Sequence, residues 1–107
     1  MIEKLRVEFL MPLKYEDGSD VEQEKLSQIK DELLEKFGGF SIHPLHVEGG
    51  WTDPDTQLKY YDNSKRLEVS IPNTKENIEF LAAYKEKLKQ FLRQREIYIV
   101  YMEIVQV

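Results

Sequence analysis

The sequence has no cysteine. That excludes a disulfide scaffold, thiolate metal ligation and a cysteine nucleophile, and it agrees with a reducing, cytoplasmic setting. Positive charge is also short. Lys+Arg number 15 against Asp+Glu 20, a net charge of −5, whereas neutralising phosphates takes a basic surface, so nucleic acid is not an expected partner. No apolar run approaches the ~20 residues of a bilayer span, and no membrane partner is expected. Met1-Ile2-Glu3-Lys4 leads directly into a strand-like pattern, so no signal peptide is expected. Histidine occurs only as His43 and His46. On a regular strand that spacing points the two rings to opposite sides, so they would not chelate one metal. His46 and Glu48 would share a face, but two ligands are too few, and neither a metal nor another cofactor is expected. None of the serines, Ser19, Ser27, Ser41, Ser64 and Ser70, lies in a Gly-x-Ser-x-Gly elbow. Gly49-Gly50 lacks the glycine, lysine and hydroxyl residue of a phosphate loop.

What is present reads as one soluble domain spanning residues 1–107, 41% hydrophobic and 33% charged. Leu5, Val7, Phe9 and Met11 alternate with Arg6, Glu8 and Leu10, the period of a half-buried strand. Asp17-Gly18-Ser19-Asp20 supplies a turn, and Ser19 with Glu22 has the spacing of a capping box. Leu26, Ile29, Leu33 and Phe37 then recur at helical spacing until Gly38-Gly39 ends the helix. Phe40 to Val47 reads as a second strand, with Pro44 marking an edge or a bulge. Glu48-Gly49-Gly50-Trp51 is its distorted continuation, and Thr52-Asp53-Pro54-Asp55-Thr56 is a turn. A third strand starts at Leu58, is interrupted at Asp62-Asn63-Ser64, and continues through Leu67, Val69 and Ile71. After Pro72, Asn73 and Glu76 suggest a second capping box. Ile78, Leu81, Tyr84, Leu88 and Phe91 or Leu92 then form an apolar helical stripe. The last strand begins beyond Arg95.

The order β-α-β-β-α-β predicts an α+β, ferredoxin-like sandwich, a four-stranded antiparallel sheet with two helices on one face. The right-handed crossover rule places the first and third strands side by side at its centre. Arg6, Glu8, Arg66 and Glu68 then share the open face, where opposite charges on neighbouring strands would pair as simple ion pairs. The last strand becomes an edge that is apolar on both faces. Ile97, Ile99 and Tyr101 point one way, and Tyr98, Val100, Met102 and Ile104 point the other. The second set needs a cover, which makes it a candidate homodimer interface.

The segment from His43 to Asp62 holds both histidines, the only tryptophan and several carboxylates. Binding groups concentrate on such segments. Candidate ligand-binding residues here and on the adjoining open face are His43, Trp51, Asp53, Tyr61, Arg66 and Glu68. For Asp53 and Asp55, turn formation is the simpler role. Aromatic closure of a small core is an equal alternative for Trp51. Lys85, Lys89 and Arg93 recur every fourth residue, a basic stripe that suits either an anion or the helix dipole and solvent.

Phe37-Gly38-Gly39-Phe40-Ser41-Ile42, Gly50-Trp51-Thr52-Asp53, and Tyr84-Lys85 with Gln94 before the last strand resemble a bacterial family of small domains of unknown function. Its members carry a Gly-Gly strand entry, a Gly-x-Trp-x-Asp turn and a Tyr-Lys…Gln segment. The similarity covers residues 37–107. It implies the same element order and no particular activity, and it singles out Trp51 and Asp53. The expected function is a dimerising binding or assembly module with an unidentified small ligand. The alternative is a small enzyme with a pocket between the open sheet face and residues 43–62. A nucleic-acid factor using the basic stripe ranks third.

Overall fold

A computed structural model describes residues 3–107; the signal-peptide expectation falls partly on Met1 and Ile2, outside the described residues. The elements are β1 (Lys4–Pro12), α1 (Gln23–Phe37), β2 (Ser41–Ile42), β3 (Val47–Thr52), β4 (Lys59–Pro72), α2 (Lys75–Phe91) and β5 (Ile99–Ile104). All pairings are antiparallel, in the order β2-β4-β1-β5, with β3 also on β4. This is the ferredoxin-like sandwich, with β1 and β4 central.

Alternation builds the core. Leu5, Val7, Phe9 and Met11 of β1 and Leu67, Val69 and Ile71 of β4 are buried with Leu26, Ile29 and Leu33 of α1 and Leu81, Tyr84 and Leu88 of α2. Each fully buried apolar side chain of this kind contributes about 1.5–3 kcal/mol. Leu92 and Ile97 join them, so the chain from α2 into β5 is anchored at both ends of its connection.

The sheet has five strands instead of the expected four because the second edge strand is broken. Only Ser41–Ile42 and Val47–Thr52 pair regularly, not the continuous Phe40 to Val47. This edge takes five steps from Ile42 to Val47 while β4 takes three from Leu67 to Ser64. The surplus residues bulge around Pro44, which has no N–H to give the ladder. The expected interruption at Asp62-Asn63-Ser64 does not exist. β4 runs unbroken for 14 residues, since those polar residues pair with Gly49, Glu48 and Val47.

Neither capping box forms. The Ser19 amide and hydroxyl both donate to Asp17 Oδ1, making a local turn, and α1 starts after Glu22 with no side-chain cap. Glu22 instead accepts from the Tyr15 hydroxyl at 2.8 Å. For α2 the cap is Thr74, whose Oγ1 accepts from the Asn77 amide at 3.1 Å. Gly38 ends α1 at φ 82°, the left-handed conformation the Gly-Gly pair predicts. α2 has no such glycine, and Arg93 takes the left-handed position at φ 50°. Its guanidinium lies 3.8 Å from the centre of the Tyr15 ring, a contact that offsets the unfavourable backbone.

Candidate functional site

The candidate residues fall into two neighbourhoods. The first is the open sheet face. β1 contributes Arg6, Glu8 and Leu10, and β4 contributes Arg66, Glu68 and Ser70. Just before β5, the Tyr98 carbonyl accepts from the Leu10 amide; within β5, Val100 faces Glu8, Met102 faces Arg6 and Ile104 faces Lys4. Tyr98 is 55% exposed and Met102 40%, while Val100 and Ile104 are half-buried, so the set is only partly covered.

The charges on this face do not pair as expected. The register sets Glu8 against Glu68, Arg6 against Ser70 and Leu10 against Arg66. Like charges directly opposite are unfavourable. Glu68 is relieved by His43, whose Nε2 lies 3.0 Å from Glu68 Oε1. Among the described residues, Arg6, Glu8 and Arg66 take part in no ion pair. The Arg66 Nε is buried with no hydrogen-bond partner. A buried donor left unsatisfied costs about 1–3 kcal/mol.

The second neighbourhood is the far end of the β3–β4 hairpin. Trp51 faces Tyr60 across the two strands, and their rings stack with centroids 5.1 Å apart and an interplanar angle of 23°. Tyr61 projects from the opposite side of the ribbon and is 82% exposed. Asp53 is drawn away from ligand duty. It is 2% exposed, and its Oδ1 accepts from the Asp55 amide at 2.8 Å and the Thr56 amide at 3.4 Å. Its Oδ2 lies 2.8 Å from Arg95 Nη2. The Asp55 amide, helped by Thr56 and Arg95, holds its carboxyl below the usual range against the opposing effect of burial. Asp53 therefore shapes the turn and ties the hairpin to the α2–β5 connection.

Around this hairpin end lies a cleft of about 540 Å³. Its walls come from the β1–α1 loop (Lys14 to Gly18), the hairpin (Glu48, Trp51, Tyr60 to Asn63) and the α2–β5 connection (Gln94 to Glu96). A smaller cavity of about 260 Å³ lies beside it toward the open face, with Leu10, Pro12, Gly49, Trp51, Asp62 and Tyr98 among its lining residues. The structure therefore brings His43, Arg66 and Glu68 together on the face, places Trp51 and Tyr61 at the cleft, and gives Asp53 to the scaffold. Asp62 and Glu96 were not among the candidates. Glu48 was weighed only as a metal ligand with His46, and Gln94 entered only through the family resemblance; the fold brings the four to one cleft from the hairpin and from the α2–β5 connection.

The basic stripe of α2 is engaged within the molecule. Lys85 lies 3.0 Å from Glu96, Lys89 lies 3.4 Å from Glu86, and Arg93 covers Tyr15. Lys85 holds the Glu96 carboxyl below its usual range by hydrogen bonding. No group of three or more histidine, aspartate and glutamate side chains is placed to hold a metal among the described residues. None of the described helices is long and apolar enough to cross a membrane.

No protein-family model matches the chain, and no curated protein matches it in sequence. Solved structures match it in fold. A phage SAM lyase in complex with S-methyl-5'-thioadenosine is similar with a TM-score of 0.70 at 13% identity, over 94% of this chain and 81% of that one. The divalent ion tolerance protein CutA1 from Ehrlichia chaffeensis is similar with a TM-score of 0.60 at 11% identity, over 100% of this chain and 86% of that one. At these identities the likeness establishes a shared α+β, ferredoxin-like architecture.

Proposed function

We propose that the protein is a self-associating binding module, a cytoplasmic homodimer whose copies meet across the open sheet face. The observation that carries this reading is the composition of that face. Tyr98, Val100, Met102 and Ile104 form an apolar strip, exposed at Tyr98 and Met102 and half-buried at Val100 and Ile104, beside charges left unmatched within one copy. The set is self-complementary: Glu8 of one copy is an acceptor for the exposed Arg6 of the other, unpaired among the described residues, and the apolar strips supply area. Pairing of such groups sets register and specificity, while the apolar contact supplies most of the affinity. Membership of the family marked by the Gly-x-Trp-x-Asp turn is a separate part of the proposal and rests on the Gly50-Trp51-Thr52-Asp53 resemblance alone.

Sedimentation velocity at micromolar concentration tests it. A dimer is expected, and it is expected to dissociate in Val100→Glu/Met102→Glu while the circular dichroism spectrum is unchanged. A wild-type chain that stays monomeric throughout that range overturns the reading.

A second reading, a small enzyme, is favoured by the cavity between Trp51 and the open face. The lyase of similar fold supplies a reaction to try. Incubation with S-adenosylmethionine, followed by chromatography of the nucleoside products, is expected to show turnover that Asp62→Asn reduces. An unaltered substrate removes that activity from consideration.

A further inference from the structure

We propose that the cleft at the hairpin end is a binding site for a small organic cation, with the Trp51 indole as its apolar wall. The site does not depend on self-association, and it stands whether or not the bound molecule is turned over. Three observations support it.

The first is shape. The cleft of about 540 Å³ has the size of a small-molecule site. Two of its walls are locked together by the Asp53–Arg95 pair at 2.8 Å. The Leu13 amide also donates to the Asn63 carbonyl at 3.1 Å, which ties the remaining wall to the hairpin. The cleft is therefore held open by bonds that do not involve an occupant.

The second is the room beside the indole. Trp51 is 36% exposed although its ring stacks on Tyr60. Its strand neighbours on the approach are Gly49 and Gly50. A Cβ on Gly49 would sit 2.8 Å from Asp62 Oδ1, and one on Gly50 would sit 3.3 Å from the Tyr61 ring. Gly49 lets the Asp62 carboxylate lie close over the strand on the Trp51 side of the ribbon, and Gly50 gives the Tyr61 ring the same close approach on the other side.

The third is charge. The cations in the lining are occupied: Lys14 by Asp20 at 2.7 Å and Arg95 by Asp53. Glu16, Glu48 and Asp62 take part in no ion pair among the described residues. The available charge in the cleft is therefore negative and stands beside indole and phenol faces. Aromatic faces attract cations through the ring quadrupole, tryptophan most strongly, and carboxylates add to the same preference. An anion would meet repulsion, and a neutral ligand would gain nothing from the exposed, hydrated carboxylates.

Trp51 is the only tryptophan, so tryptophan emission, excited to the red of tyrosine absorption, reports on this cleft alone. The full chain is titrated with choline and, separately, with 3,3-dimethylbutan-1-ol, its uncharged isostere. A saturable fluorescence change with choline, at least about tenfold weaker with the alcohol, is expected. Glu48→Gln/Asp62→Asn is expected to weaken the choline response by about tenfold or more. Both positions are exposed, so its thermal unfolding should match that of the wild type. Calorimetric titration of Trp51→Leu is expected to show the same loss by a route independent of fluorescence. Equal responses to choline and the alcohol overturn the proposal, as does the absence of a saturable choline response up to tens of millimolar. A double variant that binds choline as the wild type does also overturns it. A chain that sediments as a monomer yet passes this titration refutes the dimer alone.

Discussion

The two edges of the sheet are built by opposite rules. The β2–β3 edge is broken at residues 43–46, carries Pro44 at the break and continues through Gly49-Gly50. The β5 edge runs from Ile99 to Ile104 without proline or glycine and is apolar on both faces except for Glu103. Bulges and prolines protect an edge from pairing with another chain; an unbroken apolar strand does not. One edge is thus blunted and shaped into a cleft, while the other is left available for contact. The contrast assigns the two proposed roles to different elements, association to the β5 strand and ligand binding to the end of the β3–β4 hairpin.

The largest expected effect tests how firmly each edge is anchored. Ile97→Ala empties a site that is 2% exposed beneath the start of β5 and should cost about 2–5 kcal/mol in urea unfolding. Ile42→Ala, at a half-buried position on the broken edge, should cost about 1 kcal/mol. Comparable losses would remove the asymmetry. Next is the contact itself. Val100→Glu/Met102→Glu should weaken dimerisation by at least about a hundredfold in sedimentation, whereas Glu48→Lys on the opposite edge should leave it unchanged.

A smaller effect appears in acid. The Asp53 carboxyl titrates below its usual range in the folded chain, so its contribution is fully present above the unfolded-state value of about 3.9. That contribution is lost as pH falls through the lower folded value. Stability measured by urea unfolding should therefore fall on acidification below about pH 4, and Asp53→Asn should flatten that decline. The smallest effect is expected from Gly49→Ala. The added Cβ meets only the Asp62 carboxylate, an exposed group that can swing aside, so stability should change by less than about 1 kcal/mol. The Trp51 emission should shift, because Asp62 and Trp51 line the same cleft.

The fold was legible where burial imposes a period. Leu5 to Met11 and Leu67 to Ile71 alternate because one face of each strand is core, and the two helix stripes repeat for the same reason. Breaks in regular structure were harder to place. Asp62-Asn63-Ser64 reads as a loop because a ribbon with water on both sides has no alternation to show. It is a strand because its backbone pairs with β3. The end of α2 was hidden because an arginine, not a glycine, adopts the left-handed conformation. At the candidate site, the residue types of Trp51 and Tyr61 drew attention to a segment that lines a cleft. The role of Asp53 was not visible, since its partner Arg95 lies beyond a whole strand and helix. The Glu8–Glu68 opposition depends on a one-residue choice of register that composition cannot reveal.

The length of β4 has a consequence for how the molecule comes apart. Its second half is flanked by β1 and β2, whereas its first half, Lys59 to Asn63, pairs with β3 alone. A two-stranded ribbon has little stability of its own, and this one carries almost none of the core. Its hold on the body is the Asp53–Arg95 pair and the Leu13–Asn63 hydrogen bond. The ribbon is therefore the first cooperative unit to open: its amides should exchange with deuterium long before those of Val7 or Val69. The domain can thus reshape one end repeatedly at small energetic cost while the rest stays folded.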